Sequence, residues 1–289
     1  MKYSFPTCTF VFCICLIFLI PHHVFGAQLY LTASRDTASV GDTLLIHVVL
    51  DSEGEQLNAV EGTIGLDAKS QYEFSTRGSA LSIWPTTPEL SSDGKSMSFL
   101  GGIPDGFNSS QAQLFDVAIT LKDTGDSILI PNHVVAYKND GKGTAVPVVV
   151  KNISIHAVRT ASSTAPIDEW NKVKVNDTTQ PRSFFISLGK DSTVYEGKQF
   201  ITFNTTDDGS GIDYYEVKEG NLPTVKSGEV YVLQNELGNE SITVSAYDKA
   251  GNVRTETLDR ASQFHTVRNG LVILIVCIII SIVLYRRRI

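Results

Sequence analysis

The chain has 289 residues, with 24 basic and 31 acidic side chains and a formal net charge of −7. Nucleic-acid binding needs a basic face, which this acidic balance excludes. The four cysteines all lie in two apolar ends, so the part between them has no disulfide and no thiolate metal site; they are Cys8, Cys13, Cys15 and Cys277.

The first 26 residues have the pattern of a secretory signal peptide. Lys2 supplies a positive charge, an apolar run extends from Phe10 to Ile20, and Pro21 ends it. Gly26 then places a small residue directly before Ala27, as signal peptidase requires. The alternative is a retained N-terminal anchor, but the apolar run is short for a membrane-spanning helix. We therefore predict a signal peptide over residues 1–26.

The last 20 residues predict a membrane anchor. An uncharged apolar run from Leu271 to Tyr285 is followed by three arginines. At about 1.5 Å per residue this run covers roughly 22 Å of a core of about 30 Å, and Gly270 can extend it. We predict a juxtamembrane segment (261–269), a transmembrane helix (270–285) and a cytoplasmic basic tail (286–289), which make a single-pass cell-membrane protein with its ectodomain outside. An alternative is removal of the tail by a sortase-like enzyme, although no LPxTG-type motif precedes it.

The segment between the two ends alternates with a period of two, which predicts an all-β ectodomain. In Thr43–Leu50, every second side chain from Leu44 is apolar. In Asn58–Leu66, Val60 and Ile64 point one way, and Ala59, Glu61 and Thr63 point the other. Leu114–Leu121 alternates in the same way. Turn signals separate these runs, so residues 27–157 are predicted to form one two-sheet sandwich.

A polar stretch interrupts the alternation and predicts a linker over residues 158–180, with Trp170 its only large apolar side chain. Alternation resumes in residues 181–260, which predicts a smaller β-sandwich. Its strands are expected to centre on Phe184–Leu188, Gln199–Asn204, Tyr214–Lys218, Val230–Leu233 and Ile242–Tyr247.

The first module resembles a cohesin domain. The resemblance rests on Val40–Thr43 followed by Val48–Asp51, on Leu57–Ile64, on Phe99–Phe107, and on Asn139–Thr144. It implies a nine-stranded jelly-roll fold related to several carbohydrate-binding modules, and a sheet face that grips a dockerin-like protein. Glu61 falls where cohesins carry an acidic contact residue, and Ala59 falls where they often carry Asn. The candidate partner-binding residues are Glu61, Ala59 and Thr63.

The second module resembles bacterial immunoglobulin-like (Ig-like) domains of surface proteins, through Asp208–Val217 and Ala246–Asn252. The glycines and Asp/Asn residues of these runs suit tight turns, which is a structural reading. The functional alternative is a calcium site, although the spacing of an EF-hand is absent. Its candidate ligands are Asp207, Asp208, Asp213 and Asp248.

No pattern of catalytic residues emerges. The ectodomain histidines are far apart and lack zinc-ligand spacing, and no GxSxG elbow, Walker loop or dinucleotide motif occurs. We therefore predict no enzyme, no catalytic residue, no cofactor and no assigned metal site.

Aromatic side chains raise the question of sugar binding. Trp84, in a loop-like stretch after Tyr72, is a candidate for stacking on a glycan. The alternative is that Trp84 closes one end of the sandwich core.

Taken together, these features predict a membrane-anchored, non-catalytic adhesion protein that recognises a protein partner or a cell-surface polysaccharide. Two alternatives remain open. One is a structural envelope component that associates with copies of itself, and the other is an accessory subunit of a polysaccharide-degrading system.

Overall fold

The computed structural model describes residues 26–159, 165–235 and 240–260. Residues 1–25 of the predicted signal peptide lie outside these residues, as do the whole of the predicted juxtamembrane segment, transmembrane helix and basic tail. In the part that is described, no helix is long and apolar enough to cross a membrane.

The first module consists of eleven strands. These are β1 (Ala27–Ala33), β2 (Thr37–Ser39), β3 (Thr43–Asp51), β4 (Leu57–Gly65), β5 (Ser70–Ser75), β6 (Ile83–Leu90), β7 (Ser96–Phe107), β8 (Ala112–Leu121), β9 (Gly125–Lys138), β10 (Ala145–Val150) and β11 (Ile153–Val158).

Nine of these strands form one continuous hydrogen-bonded path in the order β5-β8-β3-β1-β10-β9-β4-β7-β6. Off this path, β11 pairs with β2 and with the beginning of β9. The β1–β10 and β2–β11 pairs are parallel, and the other pairs are antiparallel. The path folds over a single apolar core that includes Leu29, Ile46, Val60, Phe115 and Ile119, all buried. The predicted all-β sandwich is therefore found, with β2 and β11 in addition to the nine strands.

The strand β3 is buried on both faces, whereas its alternating sequence predicted burial of one. Leu44, Ile46 and Val48 face the core as expected. Leu45, on the opposite face, is also buried, and it packs with Ala118 of β8 against Trp170. A covering element outside the sheet is the reason for this difference.

That covering element is the helix α1 (Glu169–Asn176), which lies within the segment predicted to be a linker. Asp168 caps it by accepting a hydrogen bond from the Asn171 N–H at 2.8 Å. Glu169 accepts a hydrogen bond from the Leu45 N–H at 2.9 Å and pairs with Arg35 at 2.9 Å. The linker prediction is corrected here, because an eight-residue helix gives almost no periodic signal and is held by these tertiary contacts.

In the described part of the second module there are seven strands: β12 (Ser187–Lys190), β13 (Gln199–Thr202), β14 (Ile212–Glu219), β15 (Val225–Ser227), β16 (Val230–Val232), β17 (Ile242–Asp248) and β18 (Val253–Leu258). They form two small sheets, β12-β13-β16 and β15-β14-β17-β18. Ile201, Val217, Ile242 and Val244 lie at the centre of the core between the sheets. Four of the five predicted strand centres fall on observed strands, while β12 begins three residues later than predicted.

The two modules are in direct contact. Ser75 of β5 donates a hydrogen bond to the Ser210 carbonyl at 2.6 Å, and Arg77 donates to the Gly209 carbonyl at 3.1 Å. The Asn204 amide donates to the Ser82 carbonyl at 2.6 Å. The loop between β13 and β14 therefore rests on the first module.

Candidate functional site

The candidate partner-binding residues lie together on the outer face of the sheet β9-β4-β7-β6, called here the Glu61 face. Along β4, Val60, Gly62 and Ile64 are buried, while Ala59, Glu61 and Thr63 are partly exposed. This is the alternation that the sequence predicted, and it arises because successive side chains of a strand point to opposite faces.

The strand register shows which side chains surround them. Directly opposed residues of an antiparallel pair share a face. Three rows cross the Glu61 face as a result: Val135–Glu61–Leu100–Thr86, Tyr137–Ala59–Gly102–Ile83, and Asn132–Thr63–Ser98–Glu89. Ala59 carries only a methyl group and Gly102 has no side chain. The second row therefore forms a shallow depression between Tyr137 and Ile83. The face combines one central carboxylate with apolar and small polar neighbours.

The Glu61 carboxylate has a specific partner on this face. The Tyr137 hydroxyl donates a hydrogen bond to Glu61 Oε1 at 2.5 Å. This bond raises the pKa of the Tyr137 hydroxyl, and burial and the negative charge of Glu61 act in the same direction. The sequence did not indicate Tyr137, because its position next to Glu61 depends on the register between β9 and β4.

A bulge in β9 lies beside Glu61. The β4 residues Glu61 and Thr63 pair with Val135 and Asn132, so Gly62 faces two residues of β9. One of them is His133, an exposed residue with φ of 50°. Bulges of this kind bend a strand and redirect its side chains, and they often lie beside functional sites.

The two candidate glycan-stacking residues do not form an exposed aromatic surface. Trp84 is only 7% exposed and packs edge-on against Phe115 in the core of the first module. Gly101 makes this possible, since a Cβ there would lie 2.8 Å from the indole. A sugar cannot stack on Trp84 without opening the core, which corrects that prediction in favour of the packing alternative.

Tyr72 lies on β5, in a different part of the path from Trp84, and packs partly buried against the same core. Burial, followed by the charge of Asp67, raises the pKa of the Tyr72 hydroxyl to about 12. The hydroxyl itself is buried, and no group among the residues that the structure describes reaches it in hydrogen-bond geometry. Tyr72 is therefore a packing residue in this structure.

The four candidate calcium ligands separate into two groups. Asp208 pairs with Arg182, and Asp213 lies 3.6 Å from Lys249. Asp207 and Asp248, by contrast, come together.

The third member of this carboxylate cluster is Asp177, from the segment predicted to be a linker. Burial raises the pKa of Asp207, as do the neighbouring charges of Asp177 and Asp248, against the lowering effect of N–H donors from Gly211 and Ser210.

A cleft of about 680 Å³ lies between the modules. Its lining includes Trp84 and Pro85 from the first module and Tyr215 and Glu229 from the second. Burial raises the pKa of the Glu229 carboxyl to about 7, although a hydrogen bond with the Trp84 backbone acts in the opposite direction.

No protein-family model matches this chain, and no curated protein matches it. Several solved cohesin structures do. The seventh ScaB type I cohesin from Pseudobacteroides cellulosolvens is 17% identical with a TM-score of 0.40, over 48% of this chain and 97% of that one. The non-cellulosomal cohesin from Archaeoglobus fulgidus is 16% identical with a TM-score of 0.38, over 46% and 91%.

A third match is the Coh-OlpC–Doc435 type I cohesin–dockerin complex from Clostridium thermocellum, 13% identical with a TM-score of 0.39, over 46% of this chain and 96% of that one. At identities this low and TM-scores below 0.5, these matches describe the fold and carry no conclusion about function. The chain is thus an all-β protein that is similar to cohesins over about half of its length.

Proposed function

We propose that this chain is a non-catalytic binding protein whose first module recognises a protein partner through the Glu61 face. The observation that carries the proposal is the Glu61–Tyr137 pair at the centre of a sheet face whose other side chains are mainly apolar or small and polar, with Glu89 on its edge strand. An oriented carboxylate surrounded by Val135 and Leu100 can accept a hydrogen bond or ion pair while the apolar side chains exclude water. A dockerin-like protein is the partner class that the sequence resemblance implies.

The alternatives have less support. A glycan site would need an exposed aromatic surface, and Trp84 is buried. Self-association by strand addition would need an open edge strand. At one end of the strand path, β6 contains Pro85 and Pro88, which cannot donate backbone hydrogen bonds to an added strand.

We propose further that the protein is held at the cell surface. The support is the signal-like pattern of residues 1–26 and the apolar run before Arg286, Arg287 and Arg288. In this arrangement the second module and α1 hold the Glu61 face away from the membrane.

The proposal is tested by capturing partners from the host's envelope extract with the purified protein, then measuring the affinity of each captured protein directly. Glu61→Lys replaces the central charge, and we expect it to weaken binding at least about tenfold, which corresponds to about 1.4 kcal/mol. Tyr137→Phe removes only the hydroxyl and should weaken binding less.

The matched control is Glu256→Lys, the same charge change on β18 of the second module. It should leave the affinity unchanged. Equal binding by wild type and Glu61→Lys would reject the Glu61 face. Capture of a polysaccharide on a glycan array, or a concentration-dependent dimer in light scattering, would instead favour one of the alternatives.

A further inference from the structure

The cleft between the two modules is bordered by the last strand of a sheet in each of them. The strand β6 ends the strand path of the first module, and β16 ends the sheet β12-β13-β16. Trp84–Glu89 line the cleft from the first module, and Ser227–Val230 line it from the second. Its volume of about 680 Å³ lies within the range of ligand sites, which often occur where domains meet. The cleft is therefore a candidate site separate from the centre of the Glu61 face.

Apolar and aromatic side chains form much of the cleft wall. They come from both modules and include Phe74, Trp84, Pro85, Pro88, Ile212 and Tyr215. An apolar wall lowers the local dielectric constant, so a charge inside the cleft interacts strongly with an opposite charge that enters it. The charged groups of the cleft therefore decide which ligand it can bind.

Glu229 is a charged group of the cleft that has no opposite charge among the described residues. Lys249 is the one basic residue in the described lining, and it lies 3.8 Å from Glu73 and 3.6 Å from Asp213. The Trp84 backbone gives the Glu229 carboxyl a hydrogen bond but no charge. Burial raises the pKa of this carboxyl to about 7. A cationic ligand would supply the missing charge.

The cleft adjoins the Glu61 face along β6. Thr86 and Glu89 stand in rows that cross that face, opposite Leu100 and Ser98, and both also line the cleft. Glu89 is exposed and adds a second carboxylate at this border. A protein that covers the Glu61 face and extends over β6 therefore reaches the cleft.

We propose that the cleft receives a lysine or arginine side chain of the protein partner. The cationic group pairs with Glu229, and the methylene stem packs on the apolar wall beside Pro85 and Pro88. Such a pair selects a partner that carries a basic segment next to the surface that covers the Glu61 face. The choice of a protein as the source of the cation rests on the function proposed for the Glu61 face, whereas the pairing with Glu229 does not.

The experiment uses a tripeptide with a central lysine, flanking alanines and blocked ends. It is titrated into the full-length protein at pH 8, and binding is followed by nuclear magnetic resonance. The comparison peptide has norleucine in place of lysine, which keeps the stem and lacks the ammonium group. We expect saturable binding of the lysine peptide with a Kd on the order of 10⁻³ M, and binding of the norleucine peptide at least about tenfold weaker.

Glu229→Gln, which keeps the shape and removes the charge, should weaken binding of the lysine peptide at least about tenfold. Glu256→Gln is the matched control, because it makes the same change on β18, outside the cleft lining. It should bind the lysine peptide as wild type does. The proposal is overturned if wild type binds the two peptides equally, or if Glu229→Gln binds the lysine peptide as wild type does. The melting temperature of each variant reports whether it is folded.

The pH dependence of binding provides a second measurement. Glu229 must be ionised to form the pair, so the affinity for the lysine peptide should be at least about tenfold lower at pH 5 than at pH 8. The other titratable or charged groups in the described lining are Glu89, Asp213, Tyr214, Tyr215 and Lys249. Glu229→Gln separates their contribution, because the pH dependence should be lost in this variant. A pH dependence that persists in Glu229→Gln overturns the assignment to Glu229.

Failure of this proposal can be told apart from failure of the Glu61 face. Glu61→Lys should bind the lysine peptide as wild type does, because Glu61 does not line the cleft. If the captured partner responds to Glu61→Lys but the lysine peptide does not bind, only the cleft proposal fails. If the lysine peptide binds and the partner is indifferent to Glu61→Lys, the Glu61 face fails and the pairing with Glu229 stands. Tighter binding of a free diamine, 1,5-diaminopentane, than of the peptide overturns the choice of a protein as the source of the cation.

Discussion

Glu229 should make the stability of the protein depend on pH. Its carboxyl faces the cleft between the modules, where burial raises its pKa from 4.5 to about 7. Between about pH 4.5 and pH 7 the folded protein keeps this proton, while the unfolded chain has lost it. The free energy of unfolding therefore falls as the pH rises through this window.

The size of this effect follows from the two pKa values. At about 1.36 kcal/mol per pKa unit, a change from 4.5 to about 7 corresponds to about 3 kcal/mol. The cleft is open to solvent, and screening reduces the contribution to about 1 to 2 kcal/mol. Glu229→Gln cannot ionise, but its side-chain oxygen can still accept a hydrogen bond from the backbone N–H of Trp84.

The assay is denaturant unfolding at pH 5, 6, 7 and 8 at constant ionic strength. Wild type and Glu229→Gln should have similar stability at pH 5, and the variant should be more stable by about 1 to 2 kcal/mol at pH 8. Glu89→Gln is the control, since Glu89 lines the same cleft but is exposed; it should follow the wild type. If Glu229→Gln retains the wild-type difference in stability between pH 5 and pH 8, the assignment to Glu229 is refuted.

Two predictions concern packing. Trp170→Ala should lower the free energy of unfolding by about 3 to 5 kcal/mol, because it removes the side chain that packs between α1 and the first module and leaves a cavity. Val175→Ala, at a position of the same helix that is 71% exposed, should have little effect on the free energy of unfolding. If denaturant unfolding shows that Trp170→Ala and Val175→Ala lose the same stability, the docking of α1 is contradicted. Gly101→Ala should cost about 1 to 3 kcal/mol, because its Cβ would meet Trp84 and Leu81 at 2.8 Å; an unchanged melting temperature would show that this part of the core can yield.

Local patterns in the sequence were sufficient to predict the class of the fold. Alternation along β4 placed Val60 and Ile64 inside and Glu61 outside, and the structure has this arrangement. The period of a strand is a property of the backbone, so it can be read without knowing which strands are neighbours. The same reasoning located the strands β13, β14, β16 and β17 of the second module.

Long-range pairing decided the composition of the candidate site. Glu61 could be selected from its strand, but its partner Tyr137 is 76 residues away and meets it only through the register of β9 with β4. Trp84 shows the opposite case. Its neighbouring prolines suggested a loop, but the pairing of β6 with β7 and the absence of a side chain on Gly101 turn the indole into the core.

The sequence by itself determined the two β-rich modules, the acidic surface between the apolar ends, and the outward direction of Glu61. Only the tertiary structure revealed the docked helix α1 and the cluster of Asp177 with Asp207 and Asp248. Periodicity reports the environment of a residue within its own segment. A short helix and a cluster drawn from three segments owe their existence to contacts between residues far apart in the chain, and no local pattern records those contacts.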